Sequence, residues 1–566
     1  MPTMSGARFV AETFKGYGLT HVFYVPSIAR RTLAELEIAG IERIVCHGEK
    51  AAAYMADGYA RASNGPAICM AQSVGAANLA AGLQDPFLGL SPVIAITGHR
   101  PLSHQYRNSY QEIDHFRPFS STTKYSVAVD TVEQLPHLLR QAFRESTSGT
   151  PGPVHMDFMG IQGEVIENGE ADMEVIIEED FMKRSTLRPE PSPDLIRRTV
   201  QVLAESRRPV IVAGGGVTSS GAQEEVVKLA EMLNIPVATS LNAKGTIPEN
   251  HPLSVGVCGA YSRWCANRVV AEADLAIFIG SQTGSQVTLD WRIPLPGAKI
   301  IQIDIDASEL GRSFPTTVAI QGDAKATVSR LVEALEPVSR VEWVERIQQL
   351  VQEFRDEVSP DWHSDAQPIR PERLCQEFTD NLPSDAMLVS DTGHAGIWTG
   401  AYIELHHAEQ EYIRAAGSLG WALPAALGAK CALPDRPVVA YTGDGGFWYH
   451  VSELETAARY GINAVIVVND NRSLNQCRVG DERVVNANYP GMNADAMWQF
   501  TDVDLAKVAE SMGCFGIRVT DPANISSAID EALASNRPAV VDVVSDWDVV
   551  APPPWGPSSS ERVRYD

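Results

Sequence analysis

Val438-Val439-Ala440-Tyr441-Thr442 runs directly into Gly443-Asp444-Gly445, and a second apolar run, 463–468, is followed at once by Asn469-Asp470-Asn471-Arg472-Ser473. That spacing admits few folds. Apolar runs this short, bounded by turn residues, read as strands buried on both faces of a parallel sheet. Between them, Val451 to Tyr460 reads as a helix, with Ser452 near its start and Gly461 just past its end. Two buried strands joined by a helix make a right-handed β-α-β unit, which brings the carboxyl ends of both strands to one edge of the sheet. Asp444 and Asn471 are therefore expected to meet there.

Each half alone is an ordinary turn. Together they describe a Mg²⁺–diphosphate clamp. A carboxylate, an amide oxygen and a loop carbonyl are hard oxygen ligands, and Mg²⁺ leaves its remaining positions to phosphate oxygens and water. Gly443, Gly445 and Gly446 let backbone N–H groups approach an anion that a side chain would hold off.

The 566 residues predict about three or four domains. A net charge of −25 argues against nucleic acid as a main partner, because phosphate backbones reward basic surfaces. It leaves room for anionic small molecules in a local basic pocket. The eight cysteines are scattered with no Cys-x-x-Cys pair, the pattern of a reduced compartment without a zinc site. Met1-Pro2-Thr3-Met4 opens no apolar signal core, and no apolar run is long enough to span a bilayer, so a cytoplasmic protein without membrane contact is expected.

The pattern of short apolar strands and helical stretches predicts an α/β protein of three parallel-sheet domains, at 1–165, 192–336 and 371–548, with a tail or lid at 549–566. Pro189, Pro191 and Pro193 mark the first connector, and a charged helical stretch from about Val338 to Pro371 the second. The middle domain is Rossmann-like. Its Gly214-Gly215-Gly216 and Gly280-Ser281-Gln282-Thr283-Gly284 turns, with Asp304 and Asp306 at a strand end, are features that can hold FAD or ADP.

In the first domain, Glu49 heads a small-residue helix in Cys46-His47-Gly48-Glu49-Lys50-Ala51-Ala52-Ala53. A carboxylate there is a helix cap stabilised by the dipole, or, in an apolar setting, a group for proton exchange. Gly417-Ser418-Leu419-Gly420 is a glycine turn into a packed helix, and Ser390-Asp391-Thr392-Gly393-His394 is a turn or a set of N–H donors for the diphosphate.

These residues resemble the thiamine diphosphate enzymes of the acetolactate synthase and 2-oxo acid decarboxylase superfamily over essentially the whole chain. The resemblance implies a first domain for the cofactor's pyrimidine, a central domain, and a third for its diphosphate. It implies Mg²⁺ on Asp444, Asn471 and the Ser473 carbonyl, with Asp470 standing where the family has Asn. Glu49 then hydrogen-bonds the aminopyrimidine N1′, although His47 and Gly48 replace the family's usual Arg-His. The Gly417 carbonyl accepts from the 4′-amino group, Leu419 wedges under the cofactor, and Pro26, Thr392, Gly393, His394 and Gly446 line it. Tyr110-Gln111-Glu112 resembles a Phe-Gln-Glu near the substrate, giving Gln111 a catalytic role; a polar surface turn reads the same.

The implied activity is making or breaking a C–C bond beside a carbonyl, on a 2-oxo acid. Leu289-Asp290-Trp291 instead resembles the Leu-Asn-Trp of oxalyl-CoA decarboxylases and 2-hydroxyacyl-CoA lyases, which would make the substrate an acyl-CoA. A third alternative, an inactive cofactor-fold regulatory subunit, is opposed by the joint presence of Glu49, Asp444 and Asn471. The family's cofactor bridges two chains, so a homodimer or homotetramer with active sites at the subunit interface is implied.

Overall fold

The structure, a computed structural model, describes residues 2–489 and 491–558. Three six-stranded sheets organise them. The first contains β1 (His21–Tyr24), β2 (Glu42–Val45), β3 (Ala67–Met70), β4 (Val93–His99), β5 (Tyr125–Val129) and β6 (Val154–Met159). The second contains β7 (Pro209–Ala213), β8 (Val237–Thr239), β9 (Ser254–Val257), β10 (Leu275–Ile279), β11 (Lys299–Asp304) and β12 (Val318–Gln321). The third contains β13 (Met387–Ser390), β14 (Glu411–Arg414), β15 (Val438–Gly443), β16 (Val465–Asp470), β17 (Phe515–Val519) and β18 (Ala539–Val544).

Every pairing within these sheets is parallel. The first sheet runs β2-β1-β3-β4-β6-β5 and the third β14-β13-β15-β16-β18-β17, the same order, whereas the second runs β9-β8-β7-β10-β11-β12. Helices cover both faces, so strands such as Val438–Gly443 and Val465–Asp470 are buried almost throughout, as their apolar runs require.

The small residues of the Glu49–Ser63 helix have a packing cause as well. That helix lies against Ala422–Ala432 of the third domain, and a Cβ on Gly58 would collide with the Ala425 backbone, one on Gly428 with that of Met55. Two backbones in contact leave room for nothing larger, and this crossing locks the first domain onto the third. The second connector is the Val341–Trp362 helix. The tail has no regular structure over 551–558 and packs on the central domain, where Asn267 donates to the Trp555 carbonyl at 2.9 Å and the Arg268 guanidinium lies over the Trp555 ring. The remainder of the tail, 559–566, lies outside the described residues. Among the described residues no helix is long and apolar enough to cross a membrane.

Candidate active site

Asp444, Asn471 and Ser473 come together at the carboxyl edge of the third sheet. Gly443 pairs with Asn469 in register, so β15 and β16 end side by side. Asp444 does not sit in an open turn, as a Gly-Asp-Gly stretch suggests. It opens a short helix, Asp444–Tyr449, and the following helix starts at Glu453, with Gly461 capping it in the left-handed conformation. β16 extends through Asp470, past the expected end at 468.

Asp444 is 2% exposed and receives the Ser473 N–H, while its Oδ2 is buried without a partner. Burial first, and the neighbouring Asp470 second, push its carboxyl well above the ordinary range. Asn471 and Ser473 are buried beside it, and the Ser473 hydroxyl donates to Asn471 Oδ1 at 3.0 Å. A dry carboxylate with an unpartnered oxygen, among further oxygen donors, suits a hard divalent cation. Asp470 adds charge to the same spot; its Oδ1 accepts from the Arg472 N–H, and Arg518 stands 4.0 Å from its Oδ2.

The Gly417–Gly420 turn lies across this helix. A Cβ on Gly420 would collide with the Tyr449 side chain and the Gly446 carbonyl, and Gly420 holds φ +83°, so only glycine fits. Gly443 and Gly417 face open space. Leu419 is half-buried between them in sequence. Gly393, at φ +70°, precedes the helix His394–Ala401, and the His394 ring is kept neutral by burial, down to about 4. Thr392, Gly393 and His394 all remain partly accessible.

Two buried carboxylates fix this turn: Asp391, from the stretch expected to face the diphosphate, and Asp85, which the sequence reading missed. Asp391 accepts from the Gly420 and Ala422 N–H groups at 3.0 and 3.3 Å, so its carboxylate points into the protein. Asp85, from the first domain, accepts from the Ala416 and Ser418 N–H groups at 2.7 and 3.0 Å. Arg61 bridges Asp85 and Asp57, and the Tyr54 hydroxyl bonds Ser418. Asp85 carries no local pattern: it follows Asn78 and Gln84 as one of three polar residues on a mostly apolar helix, and its backbone partners lie more than three hundred residues away.

At the carboxyl edge of the first sheet, Glu49 is half-buried at its helix start and accepts from Asn78 Nδ2 at 3.2 Å, and a Cβ on Gly75 would collide with its carboxylate. Gln111 belongs to the same edge: Ser73 donates to its carbonyl at 2.6 Å, and its own Oε1 is buried without a partner. Pro26 follows β1 on that edge and is exposed. Within one chain, the first-domain group (Glu49, Gln111, Pro26) and the third-domain group (Asp444, Asn471, Ser473, Gly417–Gly420) are neighbours through their scaffolds. The Lys50 ammonium lies 5.7 Å from the Tyr449 ring centre, and the His47 N–H donates to Glu453 at 3.0 Å.

Between the central domain and its two neighbours lies a cleft of about 450 Å³, lined by Gly214–Gly216, Gly280 and Asp304 of the central domain, Arg61 of the first, Arg184 of the connector and Arg414 of the third. The Asp304 carboxyl there is pushed up to about 6 by burial. Asp306 does not line the cleft and turns to Ser308 and Thr150. The glycines owe their identity to contact between the two turns, because a Cβ on Gly214 or Gly216 would collide with Gly280.

Three family models match along the chain: the thiamine pyrophosphate enzyme N-terminal TPP binding domain over residues 4–117, the central domain over 196–331 and the C-terminal TPP binding domain over 391–543. The "Probable acetolactate synthase large subunit" of Methanocaldococcus jannaschii is 34% identical, over 96% of this chain and 92% of its own length. The "Acetolactate synthase isozyme 2 large subunit" of Escherichia coli K12 is 30% identical over 99% of this chain and 100% of its own. The "Acetolactate synthase" of Arthrospira platensis is 29% identical over 95% and 94%.

Proposed function

We infer the reaction from one premise: the chain belongs to the thiamine pyrophosphate enzymes, and within them to the acetolactate synthase superfamily. It is a thiamine diphosphate-dependent enzyme that forms carbon–carbon bonds. The substrate reading is carboligation of two 2-oxo acids: the donor loses carbon dioxide, and its remaining acyl carbon bonds to the ketone carbon of the acceptor. Bound thiamine diphosphate supplies a nucleophilic thiazolium carbon and an electron sink.

The residues divide the work. Asp444, Asn471 and the Ser473 carbonyl hold Mg²⁺, with Gly443, Gly445 and Gly446 beside the diphosphate and Thr392, Gly393 and His394 on its other side. The Gly417 carbonyl, Leu419 and Pro26 orient the rings, a proximity effect. Glu49 holds a proton at the aminopyrimidine N1′. Gln111 donates to the substrate oxygen. The buried, unpartnered Oδ2 of Asp444 beside Asn471 and Ser473 carries this reading, because among the described residues no basic side chain forms an ion pair with it.

A homodimer, or a tetramer built from it, completes the site, with Glu49 of one chain serving the clamp of another. The apolar surface near Glu49 supports this: Tyr106 is 96% and Tyr110 74% exposed, and Val74 and Leu102 lie open around them. The central cleft is the place for FAD or ADP, its basic side chains meeting the phosphates. One observation favours a second reading, acyl-CoA chemistry: Leu289-Asp290-Trp291 forms three successive left-handed residues and leaves Trp291 53% exposed.

Product analysis decides between them. The protein with Mg²⁺ and thiamine diphosphate is incubated with a panel of 2-oxo acids, with and without aldehyde acceptors, and separately with 2-hydroxyacyl-CoA thioesters. Acetohydroxy acid products support carboligation; turnover of the thioesters alone overturns it. Nucleotide released on denaturation, read by flavin absorbance and chromatography, assigns the cleft.

A further inference from the structure

Beneath the loop that carries Gln111, the first sheet holds a buried polar cluster that the proposed chemistry does not use. Asp157 on β6 and Thr97 on β4 face each other in register. Thr97 Oγ1 donates to Asp157 Oδ1 at 2.7 Å and lies 2.6 Å from His155 Nε2, and Ser126 Oγ lies 2.8 Å from His155 Nδ1. His115 Nδ1 contacts both Asp157 oxygens, at 3.0 and 3.1 Å, and His99 Nδ1 stands 3.5 Å from Asp157 Oδ2. Thr97, His115, His155 and Asp157 are each no more than 2% exposed, and the Phe119 ring stacks on His155.

His115, His155 and Asp157 are close enough together to suggest metal ligands. The Thr97 hydroxyl, however, occupies the point where they converge, within 3.4 Å of all three ligand atoms. It already satisfies them as a hydrogen-bonded hub. The position of the histidines in the chain is the more telling fact. His99 is the last residue of β4 and His115 immediately precedes the short helix Phe116–Phe119. They are the two ends of the 100–114 loop, and both ends meet the same carboxylate.

We propose that Asp157 is a positioning residue: through His99 and His115 it clamps both ends of the 100–114 loop and so holds Gln111 at the substrate. The proposal rests on the reading that Gln111 meets the substrate. The loop needs such an anchor. It has no strand or α-helix, and Tyr106, Asn108 and Gln111 all adopt the left-handed backbone, which is uncommon for Tyr and Gln. Its inner contacts are local, as with Arg100 Nε to the Tyr110 carbonyl at 2.8 Å and Glu112 to the Tyr106 N–H at 2.7 Å. Outward from the clamp, Ser73 ties Gln111 itself to the sheet edge. The groups facing Asp157 are His99, His115, His155 and Thr97, with Asp130 beyond His99 at 3.5 Å. Burial opposes ionisation of Asp157, but hydrogen-bonded His115 and, 3.5 Å away, His99 outweigh it and hold the carboxyl below the ordinary range. The clamp is therefore an anion among donors.

Asp157→Asn, Gln111→Ala and the double variant test this in the intact enzyme with cofactor and Mg²⁺. Asp157→Asn is expected to lower kcat/KM for the 2-oxo acid about tenfold to a hundredfold, the scale of a misplaced positioning group. The cofactor concentration giving half activity should move less than about twofold, since the clamp touches none of its residues. The double variant should be no worse than Gln111→Ala, and amide hydrogen exchange over 100–114 should rise about tenfold or more. Additive losses, or unchanged exchange in the loop, overturn the proposal. A silent Gln111→Ala sinks the substrate reading of Gln111 instead, and exchange alone then decides the clamp. Should Asp157→Asn not fold, His115→Asn frees one loop end, and exchange in the 110–116 half is read in the same way.

Discussion

The first and third sheets share one strand order but carry opposite kinds of carboxylate at their working edges. Asp444, on the third, is sealed in at 2% exposure, with a second acid, Asp470, close enough to raise it further. Glu49, on the first, stands half-open at a helix start with an amide donor, Asn78, on one oxygen. Holding a divalent cation calls for concentrated negative charge that nothing internal neutralises. Exchanging a proton calls for access and a helix dipole that tolerates the charged form. On the proposed roles, the same scaffold yields a binding edge and a chemical edge, which differ in the burial of the carboxylate and in its neighbours.

Asp444→Asn should break this contrast most severely. Without the carboxylate, cofactor retention is expected to fall at least about a hundredfold, on the scale of losing a charged ligand, and activity at ordinary Mg²⁺ to vanish. Calorimetry with and without thiamine diphosphate and Mg²⁺ adds a sharper arm. The cofactor-free variant should be more stable than the cofactor-free parent, by about 1–3 kcal/mol, because an unpartnered buried charge has gone. A cofactor-free variant that melts lower would mean that Asp444 is satisfied internally, and the clamp reading would fail.

Glu49→Gln is expected to act the other way round. Cofactor affinity should stay within about threefold while kcat falls about a hundredfold to a thousandfold, the range of a lost general acid–base group and its pre-organisation. Proton exchange at the cofactor's reactive carbon, followed by NMR after quenching, should slow in parallel. Equal loss of affinity in Glu49→Gln and Asp444→Asn would erase the division between the two edges.

How far these edges could be read from the chain depended on the range of the contacts. The β-α-β unit around Asp444 was legible because strand, turn and helix signals follow each other within some thirty residues. Its details were less so. The helix at Asp444 escaped notice because two of its residues, Gly445 and Gly446, are poor helix formers, and the dipole's preference for Asp at the first position leaves no periodic trace. Asp85 and the clamp at Asp157 were invisible for another reason. Their partners lie at Ala416, Ser418, His99 and His115, and no local pattern records a contact that only the folded sheets create. The glycines of the central domain were misleading in a useful way, since two turns packed backbone to backbone demand glycine whether or not a nucleotide lies beside them.

Gly428→Ala probes the joint between the two edges. The added methyl collides with the Met55 backbone, so the Glu49–Ser63 helix has to shift away from Ala422–Ala432. Overpacking of this kind costs about 1–3 kcal/mol. Because the two helices directly follow Gly48 and Trp421, the shift should also displace Glu49 and the Gly417–Gly420 turn, each from its place in the site it completes with the partner subunit. A lowered melting midpoint together with a reduced kcat is the expected pair. A lowered midpoint with unchanged kcat would show that the crossing only holds the domains together.

The smallest effect expected concerns Asp391, whose carboxylate holds the turn that both edges share. Burial pushes its carboxyl up to about 6, against the lowering by the N–H groups of Thr392, Ala422 and Gly420. The unfolded chain releases that proton near the ordinary value of 3.8. Between about pH 4 and pH 6 the folded protein therefore binds more protons than the unfolded one, and stability contributed by this group falls as pH rises through that window. Asp391→Asn removes the titration while keeping an acceptor for the Gly420 N–H. Melting midpoints of parent and variant, both without cofactor and at one heating rate, should converge towards pH 4 and separate towards pH 6, with the parent falling relative to the variant. Parallel curves would mean that the backbone donors hold Asp391 ionised throughout, and the turn would then be braced by a permanent charge on its third-domain side.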